Sequence, residues 1–152
     1  MTSDLPPTIV ASPAFLLSKI GQAIARRFHA TMAQLDLHPR DYAVLSAIAS
    51  ESSAQGTVGE RLRIDPSTMV AVIDGLSARG LLTRDRDTED RRRYSLTLTA
   101  TGRGLLKRAD AAALRHTDAV LAPLSPAQRE QLRMLLQALL DGGDLPPGLP
   151  SA

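Results

Sequence analysis

Apolar side chains recur along this chain at the three- and four-residue spacing of amphipathic helices. The clearest stripe has the i, i+3, i+4, i+7 pattern of one helix face and consists of Met69, Val72, Ile73 and Leu76. Asp65 offers an N-cap oxygen before this stripe, and Pro66 suits the first helical position, where a missing N–H costs nothing. Gly80 stands where a left-handed residue ends a helix. The pattern predicts a helix over Pro66–Arg79.

A shorter helix is predicted just before this one. Val58–Leu62 is apolar at its ends, and Thr57 and Glu60 have the spacing of a capping box. Two short helices joined by a tight turn form a helix-turn-helix pattern. The turn departs from the usual one, because Arg63 stands where glycine is common.

Two β-prone runs, Leu81–Arg84 and Arg93–Thr97, follow the second helix. The loop between them is dense in charge, with acids before its tip and three consecutive arginines after it. A hairpin placed directly after a helix-turn-helix is a wing. In a strand period of two, Arg91 and Arg93 point one way and Arg92 the other, so one side can enter a minor groove.

Long helices are predicted on both sides of this module. The first runs from Pro13 to about Leu35, and two more follow the hairpin, with Ser125-Pro126-Ala127-Gln128 as a cap. Their apolar stripes exceed what the small module can cover, which favours a homodimer over a closed monomeric bundle. The predicted organisation is a disordered arm at 1–12, dimerisation helices at 13–37 and 100–140, a winged helix-turn-helix DNA-binding domain at 38–99, and a disordered tail at 141–152.

Composition agrees with a mainly α fold that carries a small β-wing. The 152 residues are 43% hydrophobic but only 3% aromatic, which favours helix packing over a large sheet. The absence of cysteine excludes disulfides and thiolate zinc sites. No apolar run approaches the ~20 residues of a membrane span, and the N-terminus does not resemble a signal peptide, so we expect a cytoplasmic protein with no membrane partner.

Charge points to nucleic acid through its placement rather than its sum. The formal net charge is only +2, but the basic residues are sixteen arginines and two lysines, and arginine forms the better fork for phosphates and guanine edges. The polar face of the Pro66 helix presents Ser67, Thr68, Ala71 and Gly75, small residues that allow close approach to DNA. A solvated helix face is the alternative interpretation for these four positions.

Four segments together resemble the MarR family of transcriptional regulators. They are Leu37–Leu45 (LHPRDYAVL), Leu76–Arg84 (LSARGLLTR), Asp90–Arg92 (DRR) and Leu96–Gly102 (LTLTATG). The resemblance implies a homodimer that binds double-stranded DNA at a pseudo-palindromic operator, with the Pro66 helix in the major groove and the wing arginines in the minor groove. The residue pattern and the resemblance together predict ten DNA-binding residues, which are Arg40, Pro66, Ser67, Thr68, Ala71, Arg84, Arg86, Asp90, Arg91 and Arg92.

The same resemblance implies a repressor released by a small aromatic or phenolic effector. The effector site would lie between the dimerisation helices and the winged domain, with Phe28, Leu35 and Tyr42 as lining residues, although a role in the core is the alternative for all three. No metal site or cofactor is expected, because the three histidines have no compact ligand spacing. No catalytic motif indicates an enzyme. The alternative function is a winged-helix protein-interaction module without DNA binding.

Overall fold

The computed structural model describes residues 12–50, 55–86 and 94–142. The elements, in chain order, are α1 (Pro13–Ala33), α2 (Pro39–Ser50), α3 (Gln55–Arg61), α4 (Pro66–Ala78), β1 (Leu82–Arg86), β2 (Tyr94–Leu98), α5 (Ala100–Leu121) and α6 (Pro126–Gly142). This is the predicted mainly helical fold with a two-stranded wing. The predicted arm and most of the predicted tail lie outside the described residues, and α6 extends two residues beyond the predicted boundary at 140.

One continuous core joins the middle of the chain to the long helices. It contains buried side chains from α2, α3, α4 and both strands, together with Met32 near the end of α1 and Leu106 on α5. Leu37, in the link between α1 and α2, is also part of it. The helix-turn-helix therefore shares its core with parts of the predicted dimerisation helices. Two of those helices, α1 and α5, also pack directly on one another.

The turn of the helix-turn-helix lies between α3 and α4. Arg63 adopts a φ of 50°, in the left-handed region that glycine tolerates best. The N–H of Ile64 donates to the carbonyl of Gly59 over 2.9 Å and closes the end of α3. The turn thus has the usual backbone shape without the usual glycine. The predicted capping box at Thr57 is wrong, because α3 begins at Gln55 and Thr57 lies inside the helix.

The wing strands pair antiparallel in the register Leu82↔Leu98, Arg84↔Leu96 and Arg86↔Tyr94. Each strand lies about one residue further along the chain than its predicted range. Leu82, Leu96 and Leu98 are buried, so this face of the hairpin is the one that packs against the helices. The hairpin is therefore seated on the module through its apolar end.

The step from wing to α5 depends on Thr99 and Gly102. The Thr99 hydroxyl accepts the Gly102 N–H over 3.0 Å, which caps α5 as its position in the sequence indicates, and donates to the Gly80 carbonyl over 2.7 Å. A Cβ on Gly102 would lie 1.9 Å from the Leu81 carbonyl oxygen. The helix can approach the end of α4 this closely only because residue 102 has no side chain.

The final helix begins with the predicted capping box. The Ser125 N–H donates to the Gln128 side chain over 2.8 Å, and the Gln128 N–H donates back to the Ser125 hydroxyl over 3.3 Å. No side chain described in α6 is buried. The large hydrophobic side chains exposed on α1, α5 and α6 are Leu16, Leu17, Ile20, Leu114, Met134, Leu135, Leu136, Leu139 and Leu140.

Candidate DNA interface

The N-terminus of α4 is capped by Asp65, and the cap engages one of the predicted DNA-binding hydroxyls. The Asp65 carboxylate accepts the Thr68 N–H over 2.9 Å and the Ser67 hydroxyl over 2.6 Å. These hydrogen bonds from Ser67 and Thr68 hold the pKa of the Asp65 carboxyl far below its usual value. The hydroxyl proton of Ser67 is therefore donated to Asp65, and the hydroxyl oxygen is left to act as an acceptor.

The outer face of α4 is open and almost featureless. Ser67, Ala71 and Gly75 are exposed, and Thr68 is half-buried. A Cβ on Gly75 would meet nothing within 4 Å. The predicted small-residue face thus lies on the surface, opposite the buried Met69, Ile73 and Leu76.

A cleft of about 290 Å³ runs along this face, between α4 and the start of α2. Its lining includes Thr68, Ala71 and Gly75 of α4, Arg79 at the end of that helix, and Arg40 and Asp41 of α2. Arg40 is exposed, and its backbone N–H donates to Nδ1 of His38 over 3.1 Å. Two guanidinium groups beside a bare helix face suit a polyanion that must approach the backbone closely.

The two described arginines of the wing differ in their surroundings. Arg86 is exposed, with its guanidinium 5.8 Å from the Tyr94 ring centroid. Arg84 lies 3.9 Å from the same centroid and 3.6 Å from the Asp74 carboxylate of α4. Two of the ten predicted DNA-binding residues are thus on β1, but only Arg86 is directed to solvent. Asp90, Arg91 and Arg92 lie outside the described residues.

Two of the three predicted effector residues lie together where α1, α2 and α5 meet. The Phe28 and Tyr42 rings are edge to face with centroids 5.9 Å apart, and the His116 ring lies 5.5 Å from Phe28. The Tyr42 hydroxyl donates to Asp110 over 3.0 Å. Burial, together with Asp110, raises the pKa of Tyr42. Leu35 is half-buried and packs against the core.

A cleft of about 350 Å³ lies beside this cluster, between α1 and α5. Arg27 and Thr31 line it from α1, and Arg115 and His116 line it from α5. Within the part of the chain that the structure describes, His116 Nε2 is buried without a hydrogen-bond partner. The cleft therefore offers two cations, whereas Phe28, Leu35 and Tyr42 are not among its lining residues.

Across 12–50, 55–86 and 94–142, no group of three or more His, Asp or Glu side chains is placed to hold a metal ion. No helix in the same ranges is long and apolar enough to cross a membrane.

Comparison with known proteins identifies the family. The MarR family model matches residues 35–93. A protein of Thauera aromatica, named as a transcriptional regulatory protein for the hcr operon, is 33% identical over 143 residues, which cover 90% of this chain and 86% of the relative. The chain belongs to the MarR family. Its function as a DNA-binding transcriptional regulator, predicted from the sequence, is thereby confirmed.

Two solved structures of MarR-type fold are similar over nearly their whole length. The transcriptional repressor CouR bound to a 23-mer DNA duplex has a TM-score of 0.80 at 28% identity, with 91% of this chain and 99% of that chain covered. Bordetella bronchiseptica BpsR, whose DNA binding is regulated by 6-hydroxynicotinic acid, has a TM-score of 0.75 at 29% identity, with 91% and 99% covered. Both similarities include the helix-turn-helix and the long helices.

Three residues beside the predicted interface are absent from the sequence prediction. Arg79 lines the cleft on α4, and its guanidinium lies 3.5 Å from Asp36. Asp74 and Tyr94 contact Arg84. Strand alternation could have indicated that Arg84 faces inward, because it is two residues from the apolar Leu82.

Proposed function

We propose that this MarR-family chain is a repressor that acts as a homodimer, with one α4 helix placed in the major groove of each half of a pseudo-palindromic operator. The observation that carries the proposal is the bare outer face of α4, whose cleft is also lined by Arg40 and Arg79. Helix N-termini and small polar residues suit contact with phosphates and base edges. CouR, which is similar over 91% of this chain, was solved on DNA as a repressor.

The contacts divide into two kinds. Thr68 and Ala71 lie where an α-helix in the groove meets base edges, and Ala71 suits contact with a thymine methyl. Arg40 and Arg86 are exposed cations that suit phosphates, which position the protein without reading sequence. Pro66 and Ser67 belong to the helix start, whose N–H groups also suit a phosphate.

The proposal also includes a wing contact with DNA, which rests on the sequence alone. The contacting residues would be Arg91 and Arg92, with Asp90 as the acid that orients them. Arginine is favoured in the narrow, negative minor groove. Changing Arg91 and Arg92 together to alanine is expected to abolish operator binding in a gel shift and to leave the dimer intact. A double variant that binds the operator as tightly as wild type would remove the wing from the interface.

Salt dependence tests DNA binding itself. The slope of log K against log salt is negative, and each phosphate contact that is lost reduces its magnitude by about 0.9. We expect Arg40→Ala to weaken binding to duplexes selected from a randomised pool, and to reduce this slope by about one. The matched control is Arg108→Ala, an exposed arginine on α5, which should leave both quantities unchanged. Wild-type protein that binds no duplex in a salt-dependent way would contradict the function.

The dimer is proposed to form through the exposed apolar faces of the terminal helices. None of the described side chains of α6, Leu132 and Leu136 included, is buried within one chain. A second copy related by two-fold symmetry would cover this stripe. Light scattering is expected to give a monomer mass for Leu132→Glu with Leu136→Glu. The control is Gln131→Glu with Ala138→Glu, which adds the same charge at exposed positions outside the stripe. A folded dimer in the first variant would contradict this interface.

The effector is proposed to be a small aromatic or phenolic acid held near the Phe28 and Tyr42 rings. The cleft of about 350 Å³ lies within the range of small-molecule pockets, about 300–1,000 Å³. Arg27 and Arg115 could pair with a carboxylate. Calorimetry with 6-hydroxynicotinic acid and 4-hydroxybenzoate tests this directly. We expect Arg115→Gln to weaken binding of whichever acid binds wild type, and an unchanged affinity in that variant would exclude this cleft.

A further inference from the structure

Arg84 lies on the inner side of the wing. In the register of the hairpin it faces Leu96 and shares one face of the strand pair with Leu82. Leu82 is 2% exposed and Leu96 is fully buried, so this face packs on the helices. The Arg84 side chain is only 27% exposed. The strand period puts Arg84 on this face, and its contact with Asp74 shows that it points toward α4.

Three elements meet at the Arg84 guanidinium. Its Cζ lies over the Tyr94 ring of β2, 3.9 Å from the centroid, which is a cation–π distance. Nη1 lies 3.6 Å from Oδ1 of Asp74 on α4. Among the described residues, Nε is buried and has no hydrogen-bond partner. A side chain enclosed in this way has little freedom to reach a phosphate.

The Asp74 carboxylate is an acid that lies close to the proposed DNA surface. It stands on α4 and is 63% exposed, and in electrostatic terms an acid near a DNA-binding surface opposes binding. A two-stranded hairpin is only marginally stable by itself and needs packing against a helix. A link from α4 through Arg84 to the ring of Tyr94 supplies a contact of this kind beyond the apolar end of the strands.

We propose that Arg84 is a positioning residue that ties the wing to the recognition helix through Asp74 and Tyr94, and that it does not itself contact DNA. This inference rests on the proposed function, because it concerns how the two DNA-contacting parts keep their relative orientation. Helix and wing must meet two grooves of one duplex at once, so a fixed angle between them raises affinity for the correct sequence. Arg84 was predicted from the sequence as a DNA contact; the proposal assigns it a different role in the same function.

Asp74→Asn provides the sharpest test, because the two roles predict opposite signs. If Asp74 acts only through its charge, removing that charge strengthens binding to DNA. If Asp74 positions the wing through Arg84, the variant binds a selected duplex about threefold more weakly, the size expected for loss of a partly exposed ion pair. Asp74 is exposed, so we expect the variant to fold. Tighter binding by Asp74→Asn would overturn the proposal.

Tyr94 offers a matched pair of variants. Tyr94→Phe keeps the ring beneath the guanidinium and should bind as wild type does, whereas Tyr94→Leu removes the ring and should weaken binding about fivefold. In a hydroxyl-radical footprint of Tyr94→Leu, we expect loss of protection at the flanks of the site and retained protection at the α4 contacts. Uniform loss across the footprint would indicate general destabilisation and would overturn the positioning role.

The salt slope separates positioning from phosphate contact. Arg84→Met should weaken binding and leave the slope of log K against log salt unchanged. Loss of a phosphate contact would instead reduce the magnitude of this negative slope by about 0.9. Arg84→Lys should not restore wild-type affinity, because an ammonium lacks the planar fork that both stacks and pairs. A reduced slope in Arg84→Met, or full rescue by lysine, would show a direct contact. If wild-type protein selects no duplex at all, the proposed function itself fails. If wild-type protein selects a duplex and Asp74→Asn binds that duplex more tightly, only the positioning role fails.

Discussion

Gly75 is expected to lower the stability of the folded chain and to allow DNA to approach α4 closely. The variant Gly75→Ala separates these two effects. Gly75 lies in the interior of α4, where glycine is unfavourable because it loses the most backbone freedom on folding. Its outer side is exposed, and a Cβ there would meet nothing within 4 Å. Alanine therefore fits the free protein without strain. The bare position gives the folded chain alone no packing benefit.

The magnitude follows from this open environment. Replacing glycine by alanine in a helix interior is worth about 0.8–1.0 kcal/mol, so the melting temperature should rise by about 3 °C for a chain of this size. If DNA lies against this face, the added methyl group overpacks the interface at a cost of about 1–3 kcal/mol. That cost corresponds to about a fivefold to 150-fold loss of affinity.

The assay compares Gly75→Ala with Gly104→Ala. Gly104 lies in α5, is also exposed, and also has no atom within 4 Å of an added Cβ. Both variants should be stabilised in thermal melts, and only Gly75→Ala should bind a selected duplex more weakly in fluorescence anisotropy. Gly75→Ala that binds as tightly as wild type would refute the reasoning, because close approach along α4 would then not need a bare position.

The other predictions concern the fold around the interface. Gly102→Ala should destabilise the chain by about 3 kcal/mol, measured by urea denaturation, because its Cβ would lie 1.9 Å from the Leu81 carbonyl oxygen. A variant that loses no stability, as expected for Gly104→Ala, would contradict the observed contact. Tyr42→Phe should lose about 1 kcal/mol through the hydrogen bond to Asp110. Because the pKa of Tyr42 is raised, the folded state retains the phenol proton more strongly, so its contribution is present below pH ~10 and is lost as pH rises through the folded-state pKa. Wild type should therefore lose stability above pH ~10 more steeply than Tyr42→Phe, and identical profiles would contradict this.

Features that depend on neighbouring residues could be predicted from the sequence. The Asp65 cap, the Ser125 capping box and the Thr99 cap each join atoms three residues apart, so the local pattern determines them. The apolar stripe of α4 likewise predicts which side is buried. These elements place the candidate DNA surface correctly on the outside of the helix.

Features that depend on distant residues could not be predicted in this way. The left-handed φ of Arg63 is imposed by the helices on either side of the turn, and the residue type alone gave no indication of it. The close approach at Gly102 involves Leu81, which is far away in the sequence. The contact of Arg84 with Asp74 depends on where the hairpin packs against α4, which the strand period alone does not determine.

The most direct test of the interface uses the absence of cysteine from the chain. Ala71→Cys, on the exposed face of α4, can carry an iron chelate that cleaves nearby DNA, and Ala127→Cys on α6 serves as the control. We predict two clusters of cleavage on a selected duplex, symmetric about its centre, one from each α4 of a dimer. Cleavage at a single cluster, or a pattern no different from that of Ala127→Cys, would contradict a dimer that presents α4 to both halves of its operator.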